Sequence, residues 1–197
     1  SATDTAVLCG AKPSICMKRY GARSMRRVAA KEMGVRIMLS KIHSIASEIG
    51  KGIQPLLCYS EGHHLRVFVR LTKKNNVKLK WINADMEIVE EEERDAGGPL
   101  WVGKIIEKDL VPSDCDGKLG EFFERLSEEA DGPPGLYDIN DIARIAEIGQ
   151  TPQRNKIIIC LNELGHFASS SVFSPLGIKT TASEIERTKA VKLAQSL

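Results

Sequence analysis

Apolar residues return at steps of three and four positions between about residues 24 and 50. The members of this series are Val35, Met38, Ile42, Ile45 and Ile49. Such spacing predicts a long helix with one apolar face. Gly50 and Gly52 follow the series and indicate where the helix ends.

The pattern after this helix is that of strands. Residues 53–60 form a short apolar segment, and apolar and polar residues then alternate over 65–71 and again over 77–81. The polar residues 73–76 separate these two stretches, which predicts an antiparallel β-hairpin with one buried face. Residues 1–8 are compatible with the end of a strand, and the acidic run 90–93 with a solvated loop.

The second half of the chain has shorter periodic segments. Helices are predicted around residues 119–126 and 137–146, from Thr151 with Pro152 at its first position, and over 183–197. Residues 167–173 have the pattern of a strand. Two short helices followed by a strand resemble a helix-turn-helix with a wing. A small α+β lobe that only packs against its neighbours fits the pattern equally well.

Composition narrows the class of protein. The chain has 197 residues, of which 42% are hydrophobic and 27% charged, which is ordinary for a soluble globular protein. No apolar run approaches the roughly 20 residues that cross a bilayer, and no signal segment begins the chain. The first residue is Ser rather than Met, so we interpret the sequence as a fragment or a processed chain.

Five scattered cysteines favour a reducing compartment. Their odd number and the absence of a short pair argue against a disulfide framework and a zinc knuckle. The adjacent pair His63 and His64 has no third ligand at metal-binding spacing. We therefore predict a cytoplasmic protein without a metal site.

The charge is distributed unevenly, although the net charge is only +2. Residues 1–41 carry nine Lys and Arg against two acids, whereas residues 85–131 carry sixteen acids against five bases. This asymmetry suggests a basic face for a polyanion and an acidic region elsewhere. Two solvated surfaces of opposite sign would give the same counts.

Several motifs carry a family resemblance. They are residues 2–10 (ATDTAVLCG), 18–22 (KRYGA), 32–37 (EMGVRI), 54–57 (QPLL), 63–67 (HHLRV), 98–103 (GPLWVG) and 173–180 (FSPLGIKT). In order and spacing they are similar to motifs of the tRNA (guanine-26, N2)-dimethyltransferase family, with Val7 in place of that family's usual proline. The chain is thereby identified as a member of this family and resembles its carboxy-terminal half.

The resemblance implies an α/β fold in two parts. Residues 1–103 would form the distal part of a Rossmann-like methyltransferase sheet, and residues 104–197 a small α+β, winged-helix-like C-terminal domain that binds tRNA. The cofactor implied is S-adenosylmethionine. Its Gly-rich loop, its acidic residue and the Asp-Pro motif of the target site are absent from this chain, which we expect to be inactive alone.

The resemblance also implies candidate site residues. Residues 2–8 would leave the sheet at the carboxyl ends of its strands, where ligands of such sheets bind. Thr3, Asp4 and Thr5 are therefore candidates for lining the target pocket. Asp4 could equally cap a helix or turn. The candidates for contact with tRNA phosphates are Lys12, Lys18, Arg19, Arg23, Arg26 and Arg27 in the basic series, with Arg66 and Lys179 in the motifs. For Arg36, pairing with Glu32 is an open alternative to phosphate binding. For Lys179, a buried structural role is an open alternative to contact with RNA.

Three hypotheses follow. The first is a fragment of a tRNA guanine-N2 dimethyltransferase with tRNA and the missing N-terminal half as partners. The second is a stand-alone RNA-binding module or a subunit of a split methyltransferase. The third is a winged-helix DNA-binding protein. Such a protein has no need of the motifs at residues 2–10 and 98–103, so we do not expect DNA as a partner. We do not expect a membrane as a partner either.

Overall fold

The computed structural model describes residues 1–73, 77, 79–90 and 95–196. The chain forms two compact units, Ser1–Pro112 and the residues from Ser113 onward. The sequence places the division at 103/104, nine residues earlier. Residues 104–112 belong to the first unit because Ile106 forms an antiparallel bridge with Leu57. In the described part of the chain, no helix is long and apolar enough to cross a membrane.

Within the described residues, the first unit contains three α-helices, five strands and a short 3-10 helix, Lys108–Leu110. Its elements are α1 (Thr5–Leu8), α2 (Pro13–Tyr20), α3 (Ala30–Glu48), β1 (Lys51–Glu61), β2 (His64–Lys73), β3 (Lys80–Ile82), β4 (Ile88–Val89) and β5 (Gly97–Leu100). The β1 and β2 strands form an antiparallel ribbon, and β4–β3–β5 form a second sheet. The core lies where α3 packs against α1, β1, β2 and β5.

The long predicted helix is confirmed as α3, although it begins at Ala30 rather than near residue 24. Every residue from Glu32 to Ser40 is buried, so its first half is enclosed on all sides. Only its last turns have one exposed face, where Ile45 and Ile49 are 51% and 69% exposed. Ile45 and Ile49 belong to the predicted apolar series, so that face is buried at Val35 and Met38 but exposed at its carboxyl end.

The predicted hairpin has the wrong partners. The alternating stretch 65–71 lies in β2 and pairs with β1, in a register that runs from Lys51 opposite Lys73 to Glu61 opposite His64. Alternation does not identify a partner strand, and a tight turn at Gly62, with a φ of 55°, joins the two longest strands. β3 pairs instead with β4 and β5. The predicted turn at 73–76 and acidic loop at 90–93 lie mostly outside the described residues.

The N-terminal segment differs from the expected strand. Ala2 forms an antiparallel bridge with Leu65 of β2, but Thr5–Leu8 is a helix. Val7 and Leu8 in this helix are buried. The segment thus leaves β2 after one paired residue and turns into α1.

The second unit has four helices and a three-stranded antiparallel sheet. Its elements are α4 (Gly117–Glu129), β6 (Tyr137–Asp138), α5 (Ile139–Ile145), α6 (Arg154–Glu163), β7 (Ala168–Ser170), β8 (Gly177–Thr180) and α7 (Glu184–Ala194). The sheet order is β6–β8–β7. Buried side chains of α5, α6, β8 and α7 form one hydrophobic core.

The predicted helices of this unit are confirmed with shifted boundaries. α6 begins at Arg154 with Gln153 as N-cap, so Thr151 is not its cap as expected. Ser183 does cap α7: its side chain accepts from the backbone N–H of Glu186, and the Glu186 carboxylate accepts from the Ser183 backbone. This capping box fixes the start of the last helix.

Candidate functional site

The candidate segment Thr3–Thr5 leads from Ala2, which is paired with β2, into α1. Both hydrogen bonds of the Ala2–Leu65 bridge are 2.9 Å long, which anchors the segment at its first residue. The backbone carbonyl of Asp4 accepts from the N–H groups of Val7 and Leu8 at 3.1 and 3.0 Å. The α1 helix therefore starts on the main chain of Asp4, and the carboxylate remains available for other contacts.

The Asp4 carboxylate binds an arginine rather than capping the helix. Arg19 Nη1 donates to Asp4 Oδ2 at 2.7 Å, and the two side chains are 59% and 31% exposed. No side-chain capping bond is made at the start of α1. The negative charge of Asp4 also adds to burial in raising the pKa of the Tyr20 hydroxyl. Asp4 thus holds a partly exposed charge beside α2.

Most of the predicted basic series is exposed. Arg23 differs because its guanidinium lies over the Trp81 ring, 5.9 Å from the centroid, and its backbone bridges Gly98. The exposed members are Lys12, Lys18, Arg19, Arg26 and Arg27. All five are accessible to a polyanion, although Arg19 is also paired with Asp4. Arg23 instead helps to fix the loop after α2 against the second sheet.

Arg66 follows Leu65, the residue that pairs with Ala2, so the antiparallel register places it on the Ser1 side of the bridge, whereas His64 lies on the side of Thr3. Its Nε lies 3.7 Å from Glu61 Oε2, and its side chain is 36% exposed. That nitrogen is buried and has no hydrogen-bond partner in the described structure. The register therefore does not place Arg66 beside Thr3–Thr5, whereas Arg19 does contact this segment, through Asp4.

The motif at residues 32–37 stabilises the part of α3 that packs behind the segment Thr3–Thr5 and α1. Arg36 donates to Glu32 Oε1 at 2.8 Å and to the carbonyls of Trp101 and Gly103 at 2.8 and 3.0 Å. Both charged side chains are almost completely buried. The Arg36–Glu32 pairing kept open by the sequence is thus confirmed, and it ties the motif at residues 98–103 to α3.

Gly34 is a positioning residue that the sequence analysis missed. A Cβ at this position would lie 2.7 Å from Leu65 Cδ1 and 3.3 Å from Leu8 Cβ. Only glycine allows α3 to approach β2 and α1 at the same point. A glycine inside a strongly periodic helix was the signal that could have identified this contact.

Lys179 lies in the core of the second unit. Its side chain is 2% exposed, and its Nζ donates to the carbonyls of Pro133 and Gly135 at 3.0 and 3.2 Å. It holds the loop between α4 and β6 against β8. A direct contact between this ammonium and RNA would require the loop to open, so we omit Lys179 from the proposed RNA surface.

Neither metal nor thiol chemistry stands out in the described residues. No group of three or more His, Cys, Asp or Glu within them has the arrangement of a metal site. Burial raises the pKa of the Cys58 thiol to about 12, and it raises those of Cys9 and Cys16 as well. These thiols are therefore poor nucleophiles at neutral pH.

The chain was compared with known proteins. The family model described as N2,N2-dimethylguanosine tRNA methyltransferase matches residues 1–90 and 75–191. These segments include the candidate segment, the basic series and most of the second unit. The chain belongs to this family of methyltransferases.

Individual relatives agree with this assignment. A tRNA (guanine(26)-N(2))-dimethyltransferase of Thermococcus kodakarensis is 33% identical over 92% of this chain and 54% of its own length. The enzyme of that name from Archaeoglobus fulgidus is 26% identical over 100% of this chain and 62% of its own. The chain thus spans little more than half the length of these curated relatives.

A solved structure has the same fold. Trm1 from Pyrococcus horikoshii, in complex with S-adenosyl-L-methionine, is similar to this chain with a TM-score of 0.84 and 28% identity. The likeness covers 96% of this chain and 57% of the Trm1 chain. The α/β architecture expected from the sequence is therefore that of a methyltransferase relative.

Proposed function

We propose that this chain is the distal part of an S-adenosylmethionine-dependent tRNA guanine-N2 dimethyltransferase. The observation that carries the proposal is the structural likeness to the Trm1 complex over 96% of the chain. The substrate is tRNA, and the transferred methyl group goes to the exocyclic amine of guanine. The protein acts in the cytoplasm as an RNA-binding enzyme.

The first unit is the distal half of a Rossmann-like sheet in this proposal. Ala2 pairs antiparallel with Leu65, and β2 continues for eight residues beyond Leu65, to Lys73. A strand that entered at Ala2 would run along this length of β2, with α3 covering one face. The missing N-terminal half supplies that strand and is the partner of this chain.

The second unit is a winged-helix lobe that binds tRNA. Its elements follow the order helix, strand, helix, helix, strand, strand, and its sheet has the order β6–β8–β7. In such a lobe α6 is the second helix of the helix-turn-helix and the segment between β7 and β8 is the wing. This order of elements supports the proposal.

S-adenosylmethionine supplies an electrophilic methyl group when it is bound. The described residues do not fit its usual cradle, a Gly-rich loop between a strand and the following helix. Gly50 and Gly52 lie after α3 and at the start of β1, so a helix precedes them and a strand follows, in the opposite order. We therefore assign the cofactor to the half of the relatives that this chain does not match.

The residues of this chain act on the target base. The exocyclic amine of guanine is a weak nucleophile because its lone pair is delocalised into the ring. The Asp4 carboxylate accepts a hydrogen bond from this amine and aims it, with Thr3 and Thr5 beside it. Arg19 holds the carboxylate in place until the base enters.

The tRNA backbone binds the exposed basic series. Phosphate contacts supply affinity without sequence specificity, and each contact adds about one unit to the salt dependence of binding. The variant Arg26→Gln/Arg27→Gln should therefore bind tRNA more weakly, with a shallower salt slope. The matched control is Arg144→Gln, an exposed arginine paired with Asp141 on α5. An unchanged slope in the double variant would remove these residues from the surface.

The deciding experiment uses the natural gene product. Its intact mass, S-adenosylmethionine binding and methyl transfer to tRNA should be measured on one preparation, with a transcript lacking the target guanine as control. A longer chain that binds the cofactor and methylates only the intact substrate supports the dimethyltransferase. A 197-residue chain that binds tRNA but no cofactor supports the second hypothesis, an RNA-binding module or split subunit, which the exposed basic series favours.

A further inference from the structure

The second unit contains a cleft between α4 and α6 that the proposed reaction does not use. Its volume is about 530 Å³, which is large enough for one nucleotide. One face of each helix lines it, and Ser170 of β7 closes one side. All of these residues lie within the second unit, so the cleft does not depend on how the two units are arranged.

Two arginines line the cleft without a carboxylate partner. Arg125 Nε donates to the carbonyl of Glu121 at 3.3 Å, and Arg154 Nη1 donates to the carbonyl of Pro175 at 2.8 Å. Among the described residues, neither guanidinium forms an ion pair with an acidic side chain. Carbonyl oxygens thus hold both groups in position while most of their N–H donors remain unused.

The two guanidiniums repel each other. Burial lowers the pKa of Arg154, and the positive charge of Arg125 lowers it further, while Glu128 acts in the opposite direction. An anion between the two guanidinium groups would replace this repulsion with attraction, and it would accept hydrogen bonds from their remaining N–H groups. Arginine pairs bind phosphate in this way because each planar fork can donate two hydrogen bonds.

The rest of the lining restricts what the anion can belong to. Glu121, Glu124 and Glu128 also line the cleft, and Ser170 Oγ donates to Glu128 Oε2 at 3.2 Å. Three carboxylates against two arginines disfavour a bare polyanion. Ile159 adds an apolar surface that is 50% exposed. The ligand must therefore combine one anionic group, several hydrogen-bond donors and an apolar face.

A nucleotide has all three properties. Its phosphate suits the arginines, its base has an apolar face for the isoleucine, and the N–H donors on the base edge suit the carboxylates. Guanine presents adjacent donors on its ring nitrogen and exocyclic amine, which one carboxylate can accept together. Proteins commonly recognise unpaired RNA bases by this combination of stacking and edge contacts.

We propose that this cleft binds one unpaired guanine nucleotide of the RNA, with its phosphate on Arg125 and Arg154 and its base edge on the carboxylates of α4. The proposal rests on the proposed function for the identity of the RNA, and it gives the second unit a nucleotide site of its own. Its lining residues differ from the segment Thr3–Thr5 that is proposed to act on the target base.

The test titrates the full chain with 5′-GMP and follows the backbone amides by NMR. Guanosine and inorganic phosphate are titrated as the two halves of the ligand. We expect 5′-GMP to bind at least about ten-fold more tightly than either half and to shift amides of α4 and α6. Arg125→Gln/Arg154→Gln should weaken 5′-GMP binding by about ten-fold or more, because charged hydrogen bonds are lost. Arg144→Gln should leave it unchanged.

A second variant separates loss of binding from loss of folding. Asn155 lies in the first turn of α6 and lines the cleft. The Asn155→Asp change places a carboxylate where the helix dipole stabilises it, so the fold is retained while the new charge opposes the phosphate. We expect an unchanged or raised thermal midpoint and weaker 5′-GMP binding.

Three results would overturn the nucleotide site. They are no binding of 5′-GMP, binding of phosphate alone as tightly as 5′-GMP, and normal 5′-GMP binding in both cleft variants. None of these titrations contains tRNA or requires methyl transfer. Failure of the site with tRNA binding intact would therefore leave the proposed function standing, and the reverse result would count against the proposed function alone.

Discussion

The centre of the first unit and its N-terminal surface contain the same kind of ion pair in opposite surroundings. Arg36 Nη2 lies 2.8 Å from Glu32 Oε1, and the two side chains are 3% and 0% exposed. Arg19 and Asp4 are separated by 2.7 Å with side chains 59% and 31% exposed. The bond lengths are nearly equal, so burial rather than distance determines what each pair does. The buried pair fixes the fold, and the exposed pair is open to solvent, as the role proposed for Asp4 requires.

Removing one member of the buried pair should have the largest effect. Arg36→Met leaves Glu32 charged in the core and removes the donor to two carbonyl groups. We expect a loss of about 3–5 kcal/mol in the free energy of unfolding, measured by urea denaturation. The variant Arg36→Met/Glu32→Leu should recover part of this loss because no charge stays buried. A loss below about 1 kcal/mol in the single variant would contradict the comparison.

Removing the charge of the exposed pair should change activity rather than stability. Asp4→Asn in the complete enzyme is expected to lower methyl transfer by about 100-fold, since a positioned acceptor contributes at least that much. The free energy of unfolding should fall by only about 0–1 kcal/mol, as for other exposed pairs. Arg19→Gln is the matched control, which removes the ion pair and keeps the carboxylate, and both variants are compared at saturating tRNA because Arg19 also belongs to the proposed tRNA-binding series. Equal loss of activity in both variants would show that the pair, not Asp4, matters.

Much of this arrangement follows from the sequence. The periodicity around Val35 predicts α3, and the acidic and basic residues four positions apart predict the Arg36–Glu32 pair. The role of Lys179 could not be decided, because a lysine in a Gly-Ile-Lys-Thr motif suits an RNA contact and a buried turn alike. Only the carbonyl groups of Pro133 and Gly135, more than forty residues away, distinguish these roles.

The wrong sequence-based predictions share one cause: local sequence does not identify partners that are distant along the chain. Alternation over residues 65–71 predicts a strand but does not say whether it pairs with the strand before or after it. The pairing with β1 depends on a turn at Gly62 that is shorter than the competing polar stretch. The cleft between α4 and α6 was missed because Arg125 and Arg154 are close in space, and nothing in their local sequence connects them.

Lys179 extends the comparison to the second unit and should give an intermediate effect. Lys179→Met removes the donor to the carbonyls of Pro133 and Gly135, and we expect a loss of about 2 kcal/mol in the free energy of unfolding. Lys189→Met, at an exposed position of α7, should cost much less. Binding of tRNA by folded Lys179→Met protein should equal that of the wild type. A weaker, less salt-dependent complex would return Lys179 to the RNA surface.

The smallest effect is expected at the Glu186 carboxylate, which completes the capping box of α7. Hydrogen bonds from the Ser183 backbone and side chain hold the pKa of Glu186 below its usual 4.5, with a further contribution from His166, whose Nε2 lies 2.9 Å away. Because the pKa is lower in the folded state, the stabilisation is complete above the unfolded-state value and disappears as the pH falls through the folded-state value.

Thermal midpoints measured from about pH 7 down to about pH 3 should show this loss. Glu186→Gln keeps the size of the side chain but cannot titrate, so its midpoint should lie below that of the wild type at neutral pH and meet it at the acidic end. A constant difference between the two proteins across this range would mean that the carboxylate acts by shape rather than by charge. The carboxylates of Asp4 and Glu186 would then act differently, one by its charge and the other by its shape, although both lie at the start of a helix.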